Sequence, residues 1–303
     1  MTIRKAVIPV SGFGTRLLPT TRALPKEMLP VGRYPTIQYV VEEMISAGVC
    51  EILFVTSRNK TIIEDQFDNR TELISYLNQI KKLELLGEFD YKARGISFFY
   101  TRQQPPPGVL KPQGTGDAIA AAEQFVGDEP FIVAYGDTII DSGCVPNYIS
   151  RMVESHVKHG CMCTIGVRKV PQEWISRYGV VKPANPAESN SSDFRISDIV
   201  EKPTLAEAPS NAAVNARYIF GPEIFDAIRK VPLTPDGEIP ITTAIQELVH
   251  QGNLVRAVQL ASAETRYDLG NHEDYYRAFI DFALKDPDYG ESIRSYLQAR
   301  LEE

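Results

Sequence analysis

Cysteine is scarce in this chain, four among 303 residues, which excludes a disulfide framework and leaves a reduced, cytoplasmic setting as the expectation. Long apolar runs are missing too. Nothing approaches the roughly 18 consecutive apolar residues of a membrane span. The N-terminus enters a strand-like run at once, with no signal-peptide apolar region and no small-residue cleavage site. Positive charge is in deficit: the net charge of −7 argues against a general binder of nucleic acid or membrane surfaces. A local basic site still fits inside an acidic body.

Several familiar motifs are also absent. The dinucleotide fingerprint G-x-G-x-x-G needs a third glycine, and position 17 is Leu. It also needs a carboxylate after the second strand, where Glu51–Thr56 instead runs into Ser57-Arg58. No G-x-x-x-x-G-K-[ST] occurs, and no G-x-S-x-G elbow or His-paired cysteine offers a nucleophile. Chemistry here then rests on positioning and charge neutralisation, as phosphoryl and nucleotidyl transfer require.

What is present is concentrated in the first thirty residues. The apolar run Lys5–Val10 ends in Ser11-Gly-Phe-Gly-Thr-Arg16, and Pro25-Lys-Glu-Met28 follows. A buried strand entering a glycine turn leaves backbone N–H groups free for a phosphate. Arg16 and Lys26 add cations around the same anion. A plain strand-to-helix turn with surface cations is the ordinary alternative for the glycines alone, and the spaced Pro-Lys-Glu-Met weighs against it.

Strand and helix signals alternate along the first half. Strands are predicted at Lys5–Val10, Glu51–Thr56, Ile96–Thr101 and Pro130–Tyr135. Helices are predicted at Ile37–Ala47, Lys60–Phe67 and Asp117–Phe125, and an amphipathic stretch runs over Thr71–Phe89 with Leu73, Leu77, Ile80, Leu83, Leu85 and Leu86. This rhythm implies an α/β fold, a mostly parallel central sheet flanked by helices. Beyond about residue 145, strands at Cys161–Val167, Tyr178–Lys182, Ile196–Val200 and Ala213–Phe220 suggest a mixed-sheet lobe. Helices follow at Pro222–Ile228, Ile241–Gln251 and His272–Leu284, then a charged C-terminal helix. Without repeats or Ser/Gly linkers, the whole of 1–303 reads as one unit. Pro105–Pro112 is a stiff connection or lid beside Gln113-Gly-Thr-Gly116.

Asp137 follows an apolar strand, and Asp268 sits beside Gly270. Two such carboxylates suit a Mg²⁺ that also meets substrate phosphates, although each alone fits a cap or turn. Glu201-Lys202 at a strand end can divide sugar hydroxyls and phosphate between them, or form a surface pair. Tyr178-Gly179 permits close backbone approach, or simply turns. His156, His159, Cys161 and Cys163 lack the C-x₂₋₄-C spacing of common zinc sites and read as packing residues.

These motifs, taken in order, resemble the sugar-1-phosphate nucleotidyltransferases, and within them the bacterial uridylyltransferase branch. The resemblance rests on Gly12–Pro19, Pro25–Pro30, Ile37–Glu43, Val126–Pro130, Val200–Pro203, Ala208–Asn211 and Arg266–Gly270, with the long 71–95 segment. It implies a Rossmann-like nucleotidyltransferase fold, residues 1–145 serving the nucleotide and 146–303 the sugar phosphate. It implies Mg²⁺-dependent conversion of UTP and α-D-glucose 1-phosphate to UDP-glucose and pyrophosphate, in a homo-oligomer. By that resemblance Gly12, Gly14, Thr15 and Arg16 hold the triphosphate, with Glu27 beside them, and Lys26 meets the phosphates at the reacting centre. Gln103 and Gly116 border the base and read its uracil-like edge, and Asp117, where this chain departs from the branch, is expected as a base-side carboxylate. Gly179, Glu201 and Asn215 hold the sugar, Lys202 its phosphate, and Asp137 and Asp268 the metal.

Three segments depart from the branch. Gln113-Gly-Thr-Gly-Asp117-Ala stands for Lys-Gly-Leu-Gly-His-Ala, Thr138 for a second Asp, and Glu238-Ile-Pro-Ile-Thr-Thr243 for Glu-Ile-Gln-Leu-Thr-Asp. They bear on the base and the sugar and leave the phosphate groups intact. The alternatives are another nucleoside triphosphate such as dTTP or CTP, another hexose 1-phosphate, or a nucleotide-sugar sensor without turnover. The intact Arg16, Lys26, Asp137 and Lys202 argue against the last.

Overall fold

The computed structural model describes residues 2–302 apart from 59, 69–70, 83–89, 110 and 144–145. In chain order it forms β1 (Lys5–Pro9), β2 (Pro30–Val31), β3 (Tyr34–Pro35), α1 (Thr36–Ser46), β4 (Glu51–Thr56), α2 (Thr61–Phe67), α3 (Thr71–Gln79) and β5 (Ser97–Arg102). Then come α4 (Gly114–Ala120), α5 (Glu123–Val126), β6 (Phe131–Ala134), β7 (Thr138–Asp141), α6 (Tyr148–His159), β8 (Cys163–Lys169), β9 (Gly179–Pro183) and β10 (Asp193–Glu201). The last are β11 (Ala212–Phe220), α7 (Ile224–Lys230), α8 (Ile241–His250), β12 (Val255–Gln259), β13 (Thr265–Asp268), α9 (His272–Leu284) and α10 (Gly290–Glu302).

Nine strands form one sheet in the order β5-β4-β1-β6-β11-β8-β12-β10-β9. The first four are mutually parallel, as the alternating sequence predicts. From β11 onward the pairings are antiparallel, except the parallel β8–β12 pair. The sheet expected from the first half and the mixed lobe expected from the second are thus continuous through β6–β11. Period-two alternation assigns the faces. Val7 and Val133 join Ile119, Phe225 and Ile245 under α4, α7 and α8. Ala6, Ile8 and Ile132 join Val40, Met44, Ile63 and Met152 under α1, α2 and α6. With both faces covered, central strands read as unbroken apolar runs rather than alternating ones.

Two elements differ from expectation. The helix predicted over 117–125 is two short helices, α4 and α5, separated at Ala121-Ala122. The amphipathic stretch yields α3 up to Gln79, and Leu83, Leu85 and Leu86 lie outside the described residues. A two-stranded ladder, β7 against β13, went unpredicted because each strand has only four residues.

Candidate active site

The glycine loop leaves β1 at the carboxyl edge of the parallel strands, where open α/β sheets gather their ligands. Gly14 takes φ +66°, a left-handed conformation that favours glycine, and a Cβ there would lie 3.2 Å from Thr21 Cγ2. Thr21 Oγ1 donates to Gly14 O at 2.8 Å and closes the loop. Leu17 is buried and anchors the following turn. A second turn, Lys26–Met28, returns the chain so that Lys26 Nζ is 3.9 Å from where a Cβ on Gly12 would sit.

Asp137 follows β6 through Gly136, where a Cβ would be 2.5 Å from Val10 Cγ1 and 2.9 Å from Ile37 Cδ1. Only glycine lets this turn press against the end of β1. Lys26 Nζ forms a half-buried ion pair with Asp137. Burial alone would raise the Asp137 carboxyl, but the Lys26 charge and hydrogen bond, helped by Arg266, bring it down to about 2. Burial works against the Lys26 ammonium as well, yet Asp137 and Glu27 hold it above the usual lysine range. Glu27 gives both carboxylate oxygens to Lys60, at 3.0 and 2.8 Å. Burial pushes the Glu27 carboxyl up and the Lys60 ammonium down.

The β7–β13 ladder explains how Asp268 arrives. Its register sets Asp268 opposite Thr138, and Leu269 N donates to Asp137 O at 3.0 Å. Arg266 Nη2 holds Asp268 Oδ2 at 3.0 Å. Asp137 and Asp268, over a hundred positions apart in sequence, therefore flank one place. Two carboxylates, Asp137 paired with the Lys26 ammonium and Asp268 with the Arg266 guanidinium, make a hard-oxygen donor set that fits a divalent cation keeping several waters. No cluster of three or more His, Cys, Asp or Glu ligands exists among the described residues.

Two cavities adjoin this point. One of about 400 Å³ is lined by the glycine loop, Lys26, Gln103, Lys111–Pro112, Thr115, Tyr135 and Asp137. A smaller one of about 160 Å³ is lined by Tyr178, Gly179, Glu201, Val214, Tyr218 and Pro240–Thr242. Thr115 and Tyr135 belong to both walls. The divergent segment at 238–243 reaches both as well, Glu238 in the first and Pro240–Thr242 in the second.

Most sequence-predicted residues gather here. Gly12, Gly14, Thr15, Glu27 and Gln103 line the first cavity, and Gly179 and Glu201 the second. Arg16 is exposed, with its guanidinium carbon 3.8 Å from where a Cβ on Gly270 would sit, beside Asp268. Lys202 is exposed and lines neither cavity, its Nζ lies 3.5 Å from Glu201 Oε1 beside the smaller one, and its backbone takes φ 44°.

Three placements correct expectation. Asn215 does not present its side chain to the sugar cavity. It is fully buried where the β11–β8 register shifts, and its Nδ2 donates to Tyr148 OH at 2.8 Å. Its neighbour Val214 lines the cavity instead. Gly116 packs under Ile239, where a Cβ would meet Ile239 Cγ2 at 2.6 Å. Asp117 stands behind Gln103 and accepts from its Nε2 at 2.6 Å, so it reaches the cavity through Gln103 alone. His156 packs with its Nδ1 3.0 Å from Thr164 Oγ1, and Cys161 and Cys163 are buried.

Sequence reasoning missed Arg266, Tyr135, Thr115, Thr242 and Lys60. Arg266 was within reach: in a strand, residues 266 and 268 share a face. Thr242, which donates to Glu201 Oε2 at 2.7 Å, carries no local signal.

Residues 5–284 match the protein family described as Nucleotidyl transferase. The UTP–glucose-1-phosphate uridylyltransferase of Staphylococcus epidermidis is 38% identical over 297 residues, covering 98% of this chain and 98% of that protein. A UTP-bound UGPase from Acinetobacter baumannii superposes with a TM-score of 0.87 at 32% identity, covering 98% of this chain and 99% of that one. A UDP-glucose pyrophosphorylase complexed with UDP-glucose gives a TM-score of 0.79 at 34% identity, over 94% of this chain and 100% of that one.

Proposed function

We infer, since this chain belongs to the nucleotidyl transferase family, that it transfers the uridylyl group of UTP to α-D-glucose 1-phosphate, releasing pyrophosphate. The observation that carries the reading is the pair of adjoining cavities with Lys26 and Asp137 on the wall of the larger. A nucleoside triphosphate fits the larger, glycine-lined one, and a hexose the smaller one beside Glu201. Their shared wall, Thr115 and Tyr135, brings the two reacting ends together, so the sugar phosphate oxygen approaches the α-phosphorus in line.

In this reading the Gly12–Thr15 backbone N–H groups and Arg16 bind the triphosphate, Arg16 on the departing pyrophosphate. Lys26 swings from Asp137 onto the phosphates, and Lys202 at the rim takes the sugar 1-phosphate. These cations screen anion repulsion and stabilise charge that develops on transfer. Glu201, held by Thr242, orients sugar hydroxyls. We assign Mg²⁺ to Asp137 and Asp268, where it supplies further charge neutralisation when bound. No helix among the described residues is long and apolar enough to cross a membrane. We propose a cytoplasmic enzyme, in keeping with the free thiols of Cys50, Cys161 and Cys163. We also propose a homo-oligomer, from apolar side chains exposed on α3 (Leu73, Ile74) and α9 (Phe279, Ile280).

The deciding experiment measures pyrophosphate release with Mg²⁺ across five nucleoside triphosphates and several hexose 1-phosphates. A preference for UTP with glucose 1-phosphate is expected. Preference for another pair keeps the chemistry and moves specificity to the divergent segments. No release with any pair makes the protein a sensor.

A further inference from the structure

Ser11, Gln103, Gly114 and Asp117 form a closed hydrogen-bonded group on the wall of the larger cavity. Gln103 is buried just beyond β5, with its backbone N–H tied to Thr56 O at 3.0 Å. Its Nε2 faces two partners, Gly114 O at 3.0 Å and Asp117 Oδ2 at 2.6 Å. A carbonyl and a carboxylate accept hydrogen bonds and have none to give. The amide therefore cannot turn over, because its Oε1 would then face two other oxygens. Both Nε2 hydrogens are spent in this arrangement. Oε1 receives the Ser11 hydroxyl and keeps one lone pair, and Gln103 lines the cavity.

We propose that Asp117 is a positioning residue that locks the Gln103 amide with its oxygen toward the base, so that the cavity selects bases bearing a ring N–H over bases with a bare ring nitrogen. Uracil and thymine donate from N3, whereas cytosine presents an acceptor there and meets Oε1 lone pair to lone pair. This rests on the reading that Gln103 borders the base. Gly114 O alone holds one Nε2 hydrogen, and Asp117 holds the other. Without Asp117 the amide is held at Nε2 by Gly114 O alone, it becomes free to rotate Nε2 toward the cavity, and cytosine gains a donor.

The test compares kcat/KM for UTP and CTP in the wild type, Asp117→Ala and Asp117→Asn. The Ala variant should lower the UTP-over-CTP ratio by roughly tenfold or more, the scale of one lost polar discrimination in a desolvated site. The change should lie mainly in KM, with kcat for UTP held within about threefold, since the reacting phosphates are elsewhere. The Asn variant, which can keep an amide oxygen on Nε2, should retain the ratio. Should Ala fail to fold, Asp117→Ser, too short to reach Nε2, takes its place. An unchanged ratio in a folded Ala or Ser variant overturns the proposal, as does a wild type indifferent between UTP and CTP. Equilibrium binding of UTP and CTP without sugar phosphate reads the inference apart from turnover. A UTP preference lost in Asp117→Ala, in a protein that releases no pyrophosphate, supports the inference while the transfer reading fails.

Discussion

Lys26 and Asp137 neutralise each other in the absence of substrate, and this sets what each substitution does. In Lys26→Ala the loop keeps its shape, because Thr21 and Leu17 hold it. The loss falls on the charge that meets the phosphates. Steady-state kinetics should show kcat lower by roughly 10²–10³, the range for one missing charge-stabilising donor. Unchanged turnover would remove Lys26 from the chemistry. Asp137→Ala removes the ion-pair partner of the Lys26 ammonium in a half-buried site and one of two carboxylates. Turnover titrated against Mg²⁺ should collapse, and full activity at ordinary Mg²⁺ would exclude Asp137 as a ligand. At this scale the site was legible where a residue type has few other uses. The glycine loop before Arg16, and Asp137 after an apolar strand, point to the cavity wall where the structure places the loop and Asp137. Asn215 misled because a polar residue in an apolar strand looks like a ligand group. Here it answers Tyr148 OH across the interior.

Among the elements, β9 and α8 define the smaller cavity, because Gly179 opens β9 directly against Thr242 on α8. A Cβ at Gly179 would stand 2.6 Å from Thr242 Cγ2 and 3.2 Å from Glu201 Oε2. Gly179→Ala should therefore raise KM for the sugar phosphate by roughly tenfold or more while KM for the nucleotide stays within about threefold. Equal rises in both constants would mean that the two cavities do not divide the substrates. Strand and helix periodicity made nearly every long element legible, since burial on two faces writes continuous apolar runs. Short elements were not. Four-residue β7 and β13 owe their pairing to each other, and no local pattern encodes a partner more than a hundred residues away.

For the molecule as a whole, His156 contributes a pH dependence of stability well away from the two site cavities. Burial lowers the His156 imidazole to about 4 from the usual 6.5. The unfolded chain then binds a proton that the folded chain refuses between those values. The His156 contribution is full above pH 6.5 and is lost as pH drops toward about 4, by on the order of 3 kcal/mol at the limit. His156→Asn can keep the hydrogen bond to Thr164 without titrating. Its denaturation midpoint should vary less than the wild type's between pH 6.5 and 4.5, and parallel curves would show that another group dominates. The architecture at this scale was half legible. Alternation predicts a parallel sheet, but the joining of both halves through β6 and β11 depends on an antiparallel pairing that alternation does not specify.

The ladder that sets Asp268 opposite Thr138 also has a meaning in time. A ribosome delivers the glycine loop and Lys26 first, Asp137 midway and Asp268 near the end of the chain. At typical synthesis rates the two carboxylates emerge on the order of ten seconds apart. Until the later strand docks, the nascent protein has its phosphate loop but only one acid. On the proposed reading, the pair of acids is completed only when β13 docks on β7, so a chain cut short before β13 carries Asp137 without its partner carboxylate.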